Sequence, residues 1–191
     1  QRMAWLTGFG GSAGAAAVLP EKAAVFVDGR YTVQVRGQVD GSLFDYVSVP
    51  QSSVAEWLGA NVGAGQKVGY DPWLHGIDWV RGLEKALAEK GAHLVAVDAN
   101  PIDAAWDDQP APSDAPVSVY DTALAGQSAV EKRDVIADWL KARGLDTTVM
   151  TALDSIAWTF NIRGEDVSHT PVGLAFALLH ADATADLFIA P

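Results

Sequence analysis

Short apolar runs alternate with polar turns along the first part of the chain. Residues 15–19 and 23–27 are apolar, and the sequence Pro-Glu-Lys at residues 20–22 separates them. Two runs of this length around such a turn predict a hairpin of buried strands. Three further strands are predicted, the last of them as a buried strand, at residues 43–49, 67–70 and 93–97.

Helix signals stand between these strands. Ser53 and Glu56 match a capping box and predict a short helix up to residue 61. Residues 30–37 alternate in a way that also suits a strand, but their context favours a short helix. Strands interleaved with helices indicate an α/β domain, with a mixed sheet flanked by helices.

A longer helix is predicted after the strand at residues 67–70. Asp71 followed by Pro72 is typical of a helix start, and Gly91 marks the end. Asn100 followed by a proline predicts one more short helix. The longer helix buries one stripe, whose members recur at intervals of three and four residues: Leu74, Ile77, Val80, Leu83 and Leu87.

The composition changes at residues 107–115, where the sequence DDQPAPSDA has little that can pack into a core. We interpret this stretch as a linker and predict one domain at residues 1–115 and the first part of a second, similar domain at residues 116–191. In the second part, a capping box at Ser128 predicts a helix. Its inner face is expected to carry Val135, Ile136, Trp139 and Leu140. The elements predicted after it are a strand at 147–151, a helix at 154–163 and strands at 174–179 and 187–190.

The order of elements repeats within the chain. An Ala-Trp pair, a polar loop and two apolar strands occur first at residues 4–28 and again at residues 157–191. Trp158 follows Trp5 by 153 residues. Because a helix and a strand at residues 128–151 precede the second copy, the first copy is expected to lack its first helix and strand, and the chain to be a fragment of a longer protein.

Composition narrows the class of protein. Asp and Glu number 24 against 13 Lys and Arg, which gives a net charge of −11. This balance argues against a nucleic-acid partner and against binding to anionic membranes. The chain has no cysteine, so thiolate chemistry and disulfides are excluded. With no apolar run near the ~18 residues of a membrane span, a cytoplasmic protein is expected.

The glycine-rich stretch at residues 8–14 allows two interpretations based on short motifs. Gly8, Gly10 and Ala13 fit a dinucleotide fingerprint, and Asp28 stands where a ribose-binding acid is expected. The predicted strand follows too soon for the helix that a fingerprint requires. Ser12 lies in a G-x-S-x-G string, but neither a His nor an Asp follows in the chain context of a nucleophile elbow.

Two longer motifs carry a family resemblance that covers essentially the whole chain. Residues 5–34, WLTGFGGSAGAAAVLPEKAAVFVDGRYTVQ, resemble the opening of the N-terminal domain of aminopeptidase P, the Xaa-Pro aminopeptidases of the creatinase/prolidase superfamily. Residues 151–172, TALDSIAWTFNIRGEDVSHTPV, resemble the start of the second domain in three-domain members. The resemblance implies a metallopeptidase that removes the N-terminal residue from peptides with proline second.

The resemblance also assigns roles to residues. It implies that Arg30, in the sequence DGRY, contacts the bound peptide, whereas the alternative is that Arg30 pairs with Asp28. The two metal ions of the parent enzyme, expected to be manganese, belong to a catalytic domain outside this chain. We therefore expect no catalytic residue, metal ligand or cofactor here, and a surface or hydrogen-bonded role for each of His75, His93, His169 and His180.

We expect structural roles for Arg163 and Asp166 of the sequence NIRGEDV. Arg163 is expected to close the C-terminus of a helix, and Asp166 is expected to order the loop that follows.

Two other functional hypotheses remain open. The chain is either part of a creatinase- or prolidase-like relative, or a binding or assembly module without turnover. A homodimer formed by exchange of residues 128–191 is a related possibility.

Overall fold

The computed structural model describes residues 1–189, and these divide into two compact units. The first unit is Gln1–Gln109 and the second starts at Pro110. Residues 110–117, which fall within or next to the predicted linker, contain no helix or strand. Both units combine short helices with small sheets, which confirms the α/β class.

The first unit alternates strands with helices from its start to its end. Its elements, in chain order, are α1 (Arg2–Thr7), β1 (Ala15–Val18), β2 (Ala23–Val27), a 3₁₀ turn (Gly29–Tyr31), α2 (Thr32–Gln38), β3 (Asp45–Ser48), α3 (Val54–Asn61), β4 (Lys67–Tyr70), α4 (Ile77–Ala88), β5 (His93–Ala96) and α5 (Pro101–Ala105). The predicted hairpin, the helix after residue 30 and the capping box of α3 are confirmed.

Two small sheets form in this unit. In the first, β2 lies between its antiparallel hairpin partner β1 and the parallel strand β3. In the second, β4 and β5 pair in parallel. The strand β2 is the centre of the unit, because its last four residues are all buried.

Apolar side chains cover both faces of β2. On one face, Val25 and Val27 pack in a cluster with Phe9 of the glycine-rich loop and Val35 of α2. On the other face, the ring of Phe26 meets the indole of Trp57 of α3 edge-on, with centroids 5.9 Å apart. A strand covered on both faces reads as a continuous apolar run, and this is the pattern of residues 23–27.

Two predictions for the first unit are wrong in part. The helix α4 begins at Ile77 and not near Pro72, because Asp71 instead accepts the backbone N–H of Trp73 in a tight turn. Leu74 consequently lies outside the helix and is exposed, as is Ile77 in its first turn. The strand β5 is not buried, since three of its four residues are exposed.

The second unit is built around an antiparallel sheet. Its elements, in chain order, are β6 (Ser118–Val119), α6 (Thr122–Ala125), α7 (Ala129–Lys141), β7 (Thr147–Met150), α8 (Leu153–Phe160), β8 (Ile162–Arg163), β9 (Ala175–His180) and β10 (Ala185–Ile189). The strand β9 is central, with β10 on one side and β7 on the other. The end of the predicted strand at residues 187–190 lies outside the described residues.

The inner face of α7 differs from the prediction. Leu140 is buried as expected, but Val135 and Trp139 are exposed, and the other buried positions are Lys132 and Ala137. The buried face is centred on Lys132, Ala137 and Leu140, so the predicted stripe of apolar residues was placed too far toward Val135 and Trp139. The burial of Lys132 is explained by an acceptor pair at the end of α8, described below.

The predicted helix at residues 154–163 is also shorter than expected. It ends at Phe160, because Asn161 adopts a left-handed conformation with φ +49°. Arg163 therefore lies in β8 and not in a helix, although its guanidinium still donates to the carbonyl of Ala157 in α8 at 3.4 Å. Asp166 accepts the backbone N–H of Leu174 at 2.7 Å, so it does order the loop that follows.

The internal repeat is visible in the order of elements of the two units. The helix α1 ends at Gly8 with φ +78°, and the hairpin β1–β2 follows. In the second unit α8 ends at Asn161, and the hairpin β9–β10 follows after a longer loop. Each copy thus contains a helix, a left-handed residue and an antiparallel hairpin.

Candidate functional site

The candidate site lies where β2 ends, at the sequence Asp28-Gly29-Arg30-Tyr31. The buried strand β2 fixes the backbone up to Val27, and the chain then turns through one 3₁₀ turn into α2. Asp28 caps this turn by accepting the backbone N–H of Arg30 at 3.0 Å. The carboxyl ends of strands in open α/β sheets are frequent ligand positions, because side chains there are held by the sheet yet reach solvent.

Arg30 is paired with Asp28. The Arg30 Nε donates to Asp28 Oδ1 at 3.0 Å, and Nη2 donates to Asp28 Oδ2 at 2.7 Å. The pair lowers the pKa of Asp28 to about 2, chiefly through the side-chain hydrogen bond from Arg30 and then through the backbone hydrogen bond. The same contact raises the pKa of Arg30. The pairing weighed in the sequence analysis is therefore present.

The paired guanidinium remains able to bind a second acceptor. The Arg30 side chain is 67% exposed. A guanidinium carries five N–H donors, and Asp28 engages only the Nε and Nη2 side of the fork. The Nη1 side can bind a carboxylate or a peptide carbonyl while Asp28 holds the group in place.

The glycine-rich loop packs beside this turn. The hydroxyl groups of Ser12 and Tyr31 are hydrogen-bonded at 2.6 Å, and the Tyr31 ring meets Phe9 edge-on with centroids 5.6 Å apart. The backbone N–H of Gly10 donates to the Gln38 side chain at 3.0 Å. These contacts fix the loop against the start and the end of α2, and Tyr31 serves packing as well as hydrogen bonding.

Both short-motif interpretations of this loop fail on geometry. The strand β1 begins at Ala15 directly after the glycines, so the chain does not continue from the loop into the helix that a dinucleotide fingerprint requires. The hydroxyl of Ser12 contacts Tyr31 and not an imidazole, so the arrangement of a nucleophile and its base is not formed.

The four histidines have different local surroundings. His75 bonds the carbonyl oxygen of Asp71 through Nδ1 at 2.9 Å and stacks on Trp79. His180 lies between Thr147, at 2.8 Å from Nδ1, and Asp186, at 3.1 Å from Nε2. His93 and His169 are exposed. Among residues 1–189, no three His, Asp or Glu side chains come together in a way that could hold a metal ion.

A buried lysine is the polar group that the sequence analysis missed. The side chain of Lys132 is 2% exposed, and its Nζ donates to Asn161 Oδ1 at 2.6 Å and to the carbonyl of Trp158 at 3.0 Å. Nζ also lies 4.5 Å from the centroid of the Trp158 ring. A signal was present, since Lys132, Ile136 and Leu140 follow helical spacing on α7.

Comparison with known proteins places the chain in a family. Residues 1–104 match one family model described as the creatinase/prolidase N-terminal domain, and residues 108–191 match a second model of the same description. The chain belongs to the creatinase/prolidase N-terminal domain family. The resemblance stated from the two motifs is thereby confirmed.

The relatives of this creatinase/prolidase chain include proteins named as aminopeptidases. It is 33% identical to rat Xaa-Pro aminopeptidase 2, over 99% of this chain and 28% of that protein. It is 34% identical to aminopeptidase P2 of Arabidopsis thaliana, over 98% of this chain and 27% of that protein. The chain therefore spans little more than a quarter of the length of these relatives.

A solved structure shows the same fold. The X-prolyl aminopeptidase of Caenorhabditis elegans, described as a cytosolic enzyme with a di-nuclear active site, superposes with a TM-score of 0.90 at 30% identity. The match covers 99% of this creatinase/prolidase chain and 31% of the nematode enzyme. No helix in the described part of the chain has the length and apolar character needed to cross a membrane.

Proposed function

We propose that this chain is the non-catalytic N-terminal portion of a Xaa-Pro aminopeptidase. The observation that supports this is the match along nearly the whole chain to a quarter to a third of several Xaa-Pro aminopeptidases, at 30–34% identity. The parent protein would remove the N-terminal residue from peptides with proline second, in the cytoplasm. The contribution of this chain would be to shape substrate access and assembly.

Metal chemistry in the parent is assigned to residues outside this chain. Among residues 1–189, no group of carboxylates and imidazoles could hold a metal ion. We propose two divalent ions, with manganese as the metal, in the remaining part of the parent. There a metal-activated water would act on the Xaa-Pro bond.

Arg30 is proposed to contact the peptide substrate. Its guanidinium is exposed, and Asp28 fixes its direction through three side-chain hydrogen bonds. A guanidinium held in one orientation loses less conformational freedom when it binds a carbonyl or a carboxylate. The role of Asp28 would then be to position Arg30 and not to touch the peptide.

The test is steady-state hydrolysis of an Xaa-Pro peptide by the full-length enzyme. Arg30→Ala should lower kcat/KM by about 10- to 100-fold, the range expected for one lost hydrogen bond to a charged group. Arg36→Ala is the matched control, because Arg36 is another exposed arginine of the same segment and contacts the Tyr46 ring. An unchanged kcat/KM for Arg30→Ala would remove Arg30 from the substrate site.

A second experiment addresses the assignment of catalysis. The 191-residue chain, incubated with manganese and an Xaa-Pro peptide, should give no cleavage. Metal-dependent cleavage by this chain alone would overturn the proposal that the ligands lie elsewhere. If the full-length protein also fails to cleave such peptides, the parent is instead a creatinase- or prolidase-like relative, or an assembly protein.

A further inference from the structure

The turn after β2 carries hydrogen-bond donors that the chain itself leaves free. Asp28 occupies one edge of the Arg30 guanidinium, the edge formed by Nε and Nη2. The neighbouring edge, formed by Nη1 and Nη2, presents two parallel N–H groups, because a guanidinium is a planar fork with five donors. Among residues 1–189, no group accepts a hydrogen bond from Nη1 of Arg30.

Another free donor lies beside the guanidinium, on the hydroxyl pair of Ser12 and Tyr31. The Arg30 guanidinium lies over the Tyr31 ring, with Cζ 5.1 Å from the ring centroid. The hydroxyl of that ring is bonded to Ser12 Oγ at 2.6 Å. One hydroxyl proton forms this bond, so the proton of the other hydroxyl is available to an outside acceptor. Ser12, Arg30 and Tyr31 thus form one donor surface.

The glycine-rich loop and Asp28 hold the donor surface in place. Phe9 is 1% exposed and packs edge-on against Tyr31. Gly11 lies so close to the Phe9 ring that a Cβ at this position would overlap it. Because Asp28 fixes Arg30 and the loop fixes Tyr31, few side-chain rotamers have to be ordered when a ligand binds.

The chemistry of these donors favours a carboxylate over a peptide carbonyl. A carboxylate has two coplanar oxygens, which match the two parallel N–H groups of Arg30. Its remaining lone pairs can accept the free proton of the hydroxyl pair. A carbonyl has a single oxygen and would leave at least one of these donors to water. The donor surface therefore fits an ionised carboxyl group better than it fits a peptide unit.

The charge of Asp28 does not exclude such a ligand. Asp28 and the ligand contact different edges of the guanidinium, so the cation lies between the two anions. The Arg30 side chain is 67% exposed. At an exposed position water and salt screen the repulsion that remains between two carboxylates.

We propose that the donor surface of Ser12, Arg30 and Tyr31 binds the C-terminal carboxylate of short Xaa-Pro peptides. Such binding depends on the proposed function, because the metal centre that would cleave the peptide is assigned to residues outside this chain. The metal centre and the donor surface would bind opposite ends of one peptide, so only one length, or two neighbouring lengths, places both ends correctly. The donor surface would therefore select peptides by their length and by a free C-terminus.

The test is the hydrolysis of a peptide series by the full-length enzyme. Each member is Xaa-Pro followed by one to six alanines, made once as the free acid and once as the C-terminal amide. For one or two lengths, kcat/KM of the acid should exceed that of the amide by about 10- to 100-fold, the range expected for hydrogen bonds to a charged group. At the other lengths the ratio should be close to one.

Variants separate the guanidinium from the hydroxyl pair. At the preferred length, Arg30→Ala should bring the acid-to-amide ratio to about one, by lowering kcat/KM for the acid alone. Arg30→Lys keeps the charge but loses the planar fork, so it should lower the ratio by at least about 3-fold.

The hydroxyl pair is removed by the double variant Ser12→Ala with Tyr31→Phe. This variant keeps the ring beneath Arg30 and should lower the ratio by about 3- to 10-fold. Arg36→Ala is the matched control and should leave the ratio unchanged. An unchanged kcat/KM for the amide shows that a variant is folded and active.

Three results would count against this assignment. Equal rates for acids and amides at every length would overturn it and leave the proposed function standing, because the peptides are still cleaved. An Arg30→Ala variant that slows acid and amide equally would assign Arg30 to a peptide carbonyl, which also overturns it. If the full-length protein cleaves no peptide of the series, the proposed function fails, and the carboxylate site fails with it.

Discussion

The strands β2 and β9 are each the central strand of a three-stranded sheet, one in each unit, yet they are covered differently. All of β2 from Ala24 to Val27 is buried, because side chains pack on both faces. In β9 the residues on one face, Ala175, Ala177 and Leu179, are buried, whereas Phe176 on the other face is 58% exposed. The two central strands therefore differ in how far their second face is covered.

This difference shows that the hairpin sequence alone does not determine how much a side chain contributes to stability. Phe26 and Phe188 stand at corresponding places in the second strand of each hairpin. Phe26 is fully buried against Trp57, while Phe188 is 55% exposed beside Phe176. The packing energy of each ring depends on whether a helix such as α3 covers that face.

The largest difference in stability is expected between the variants that truncate these two rings. Phe26→Ala should lower the free energy of unfolding of the first unit by about 4 kcal/mol, because it leaves a cavity in a filled core. Phe188→Ala should cost less than about 1 kcal/mol, because solvent already reaches the ring. Denaturant-dependent exchange of the β2 and β9 amides measures the two units separately.

Equal effects of the two truncations would contradict the comparison. A large loss at Phe188 would mean that the exposed face of β9 and β10 is covered in solution. Val149→Ala on β7 is a useful control for that outcome, because its side chain is also exposed on the same sheet.

The second largest loss of stability is expected from replacing Lys132. This lysine is buried in the second unit, whereas no charged side chain is buried among the described residues of the first unit. Lys132→Met keeps most of the side-chain volume but removes the donor to Asn161 and to the Trp158 carbonyl. Two acceptors at the end of α8 then lose their partner, so the second unit should be destabilised by about 2 kcal/mol. Lys141→Met, on the exposed face of α7, should change stability by less than about 0.5 kcal/mol.

A smaller effect is expected at Gly8, the left-handed residue that ends α1. Gly8→Ala should destabilise the first unit by about 1–2 kcal/mol, because an L side chain disfavours φ +78° and its Cβ would lie 2.7 Å from the Gln38 carbonyl oxygen. Gly37→Ala is the control, since it has open space in α2 and should stabilise by up to ~1 kcal/mol. Chemical denaturation of both variants checks the signs, and a stabilising Gly8→Ala would contradict the left-handed conformation of Gly8.

The smallest effect is a difference in acid response between the two units. The pKa of Asp28 is lowered to about 2 mainly by the Arg30 guanidinium, whereas the pKa of Asp166 is lowered by the Ser113 hydroxyl and the Leu174 backbone N–H. Arg30→Ala should therefore raise the pKa of Asp28 toward 3.8, its ordinary value, while that of Asp166 stays low. NMR titration of the carboxyl carbons measures both.

The sign of the linked effect on stability follows from the direction of the shift. A carboxyl whose pKa is lower in the folded protein favours folding above its ordinary pKa of 3.8, and that contribution is lost as the pH falls toward about 2. Added salt should weaken the Asp28 contribution more than that of Asp166, because only the former rests on an ion pair. Equal salt dependence would mean that the Arg30 contact is not formed in solution.

Local signals in the sequence predicted much of this fold. The hairpin around residues 20–22 and the capping boxes at Ser53 and Ser128 were recovered, because each depends on neighbours within a few residues. The start of α4 was misplaced, since Gly76 and the turn at Asp71 interrupt a helical apolar pattern. Periodicity records where apolar side chains recur but not where the backbone first becomes helical.

Long-range partners could not be predicted in the same way. The burial of Lys132 depends on Asn161, 29 residues later, whose side chain is aimed at it only because the chain turns there. The pairing of Arg30 with Asp28 was one of two stated alternatives, since the two residues lie two positions apart and carry opposite charges. The substrate role of Arg30 remains a prediction, because it requires a part of the parent protein outside this chain.

Because Lys132 is buried, its amine should react with amine-specific reagents more slowly than the amines of the other lysines. The other five lysines, Lys22, Lys67, Lys85, Lys90 and Lys141, are exposed, whereas the amine of Lys132 is enclosed between α7 and α8. An amine-reactive label added to the native protein would modify those five first and reach Lys132 only when the second unit opens. Mass spectrometry of that single site would then report how often those two helices separate.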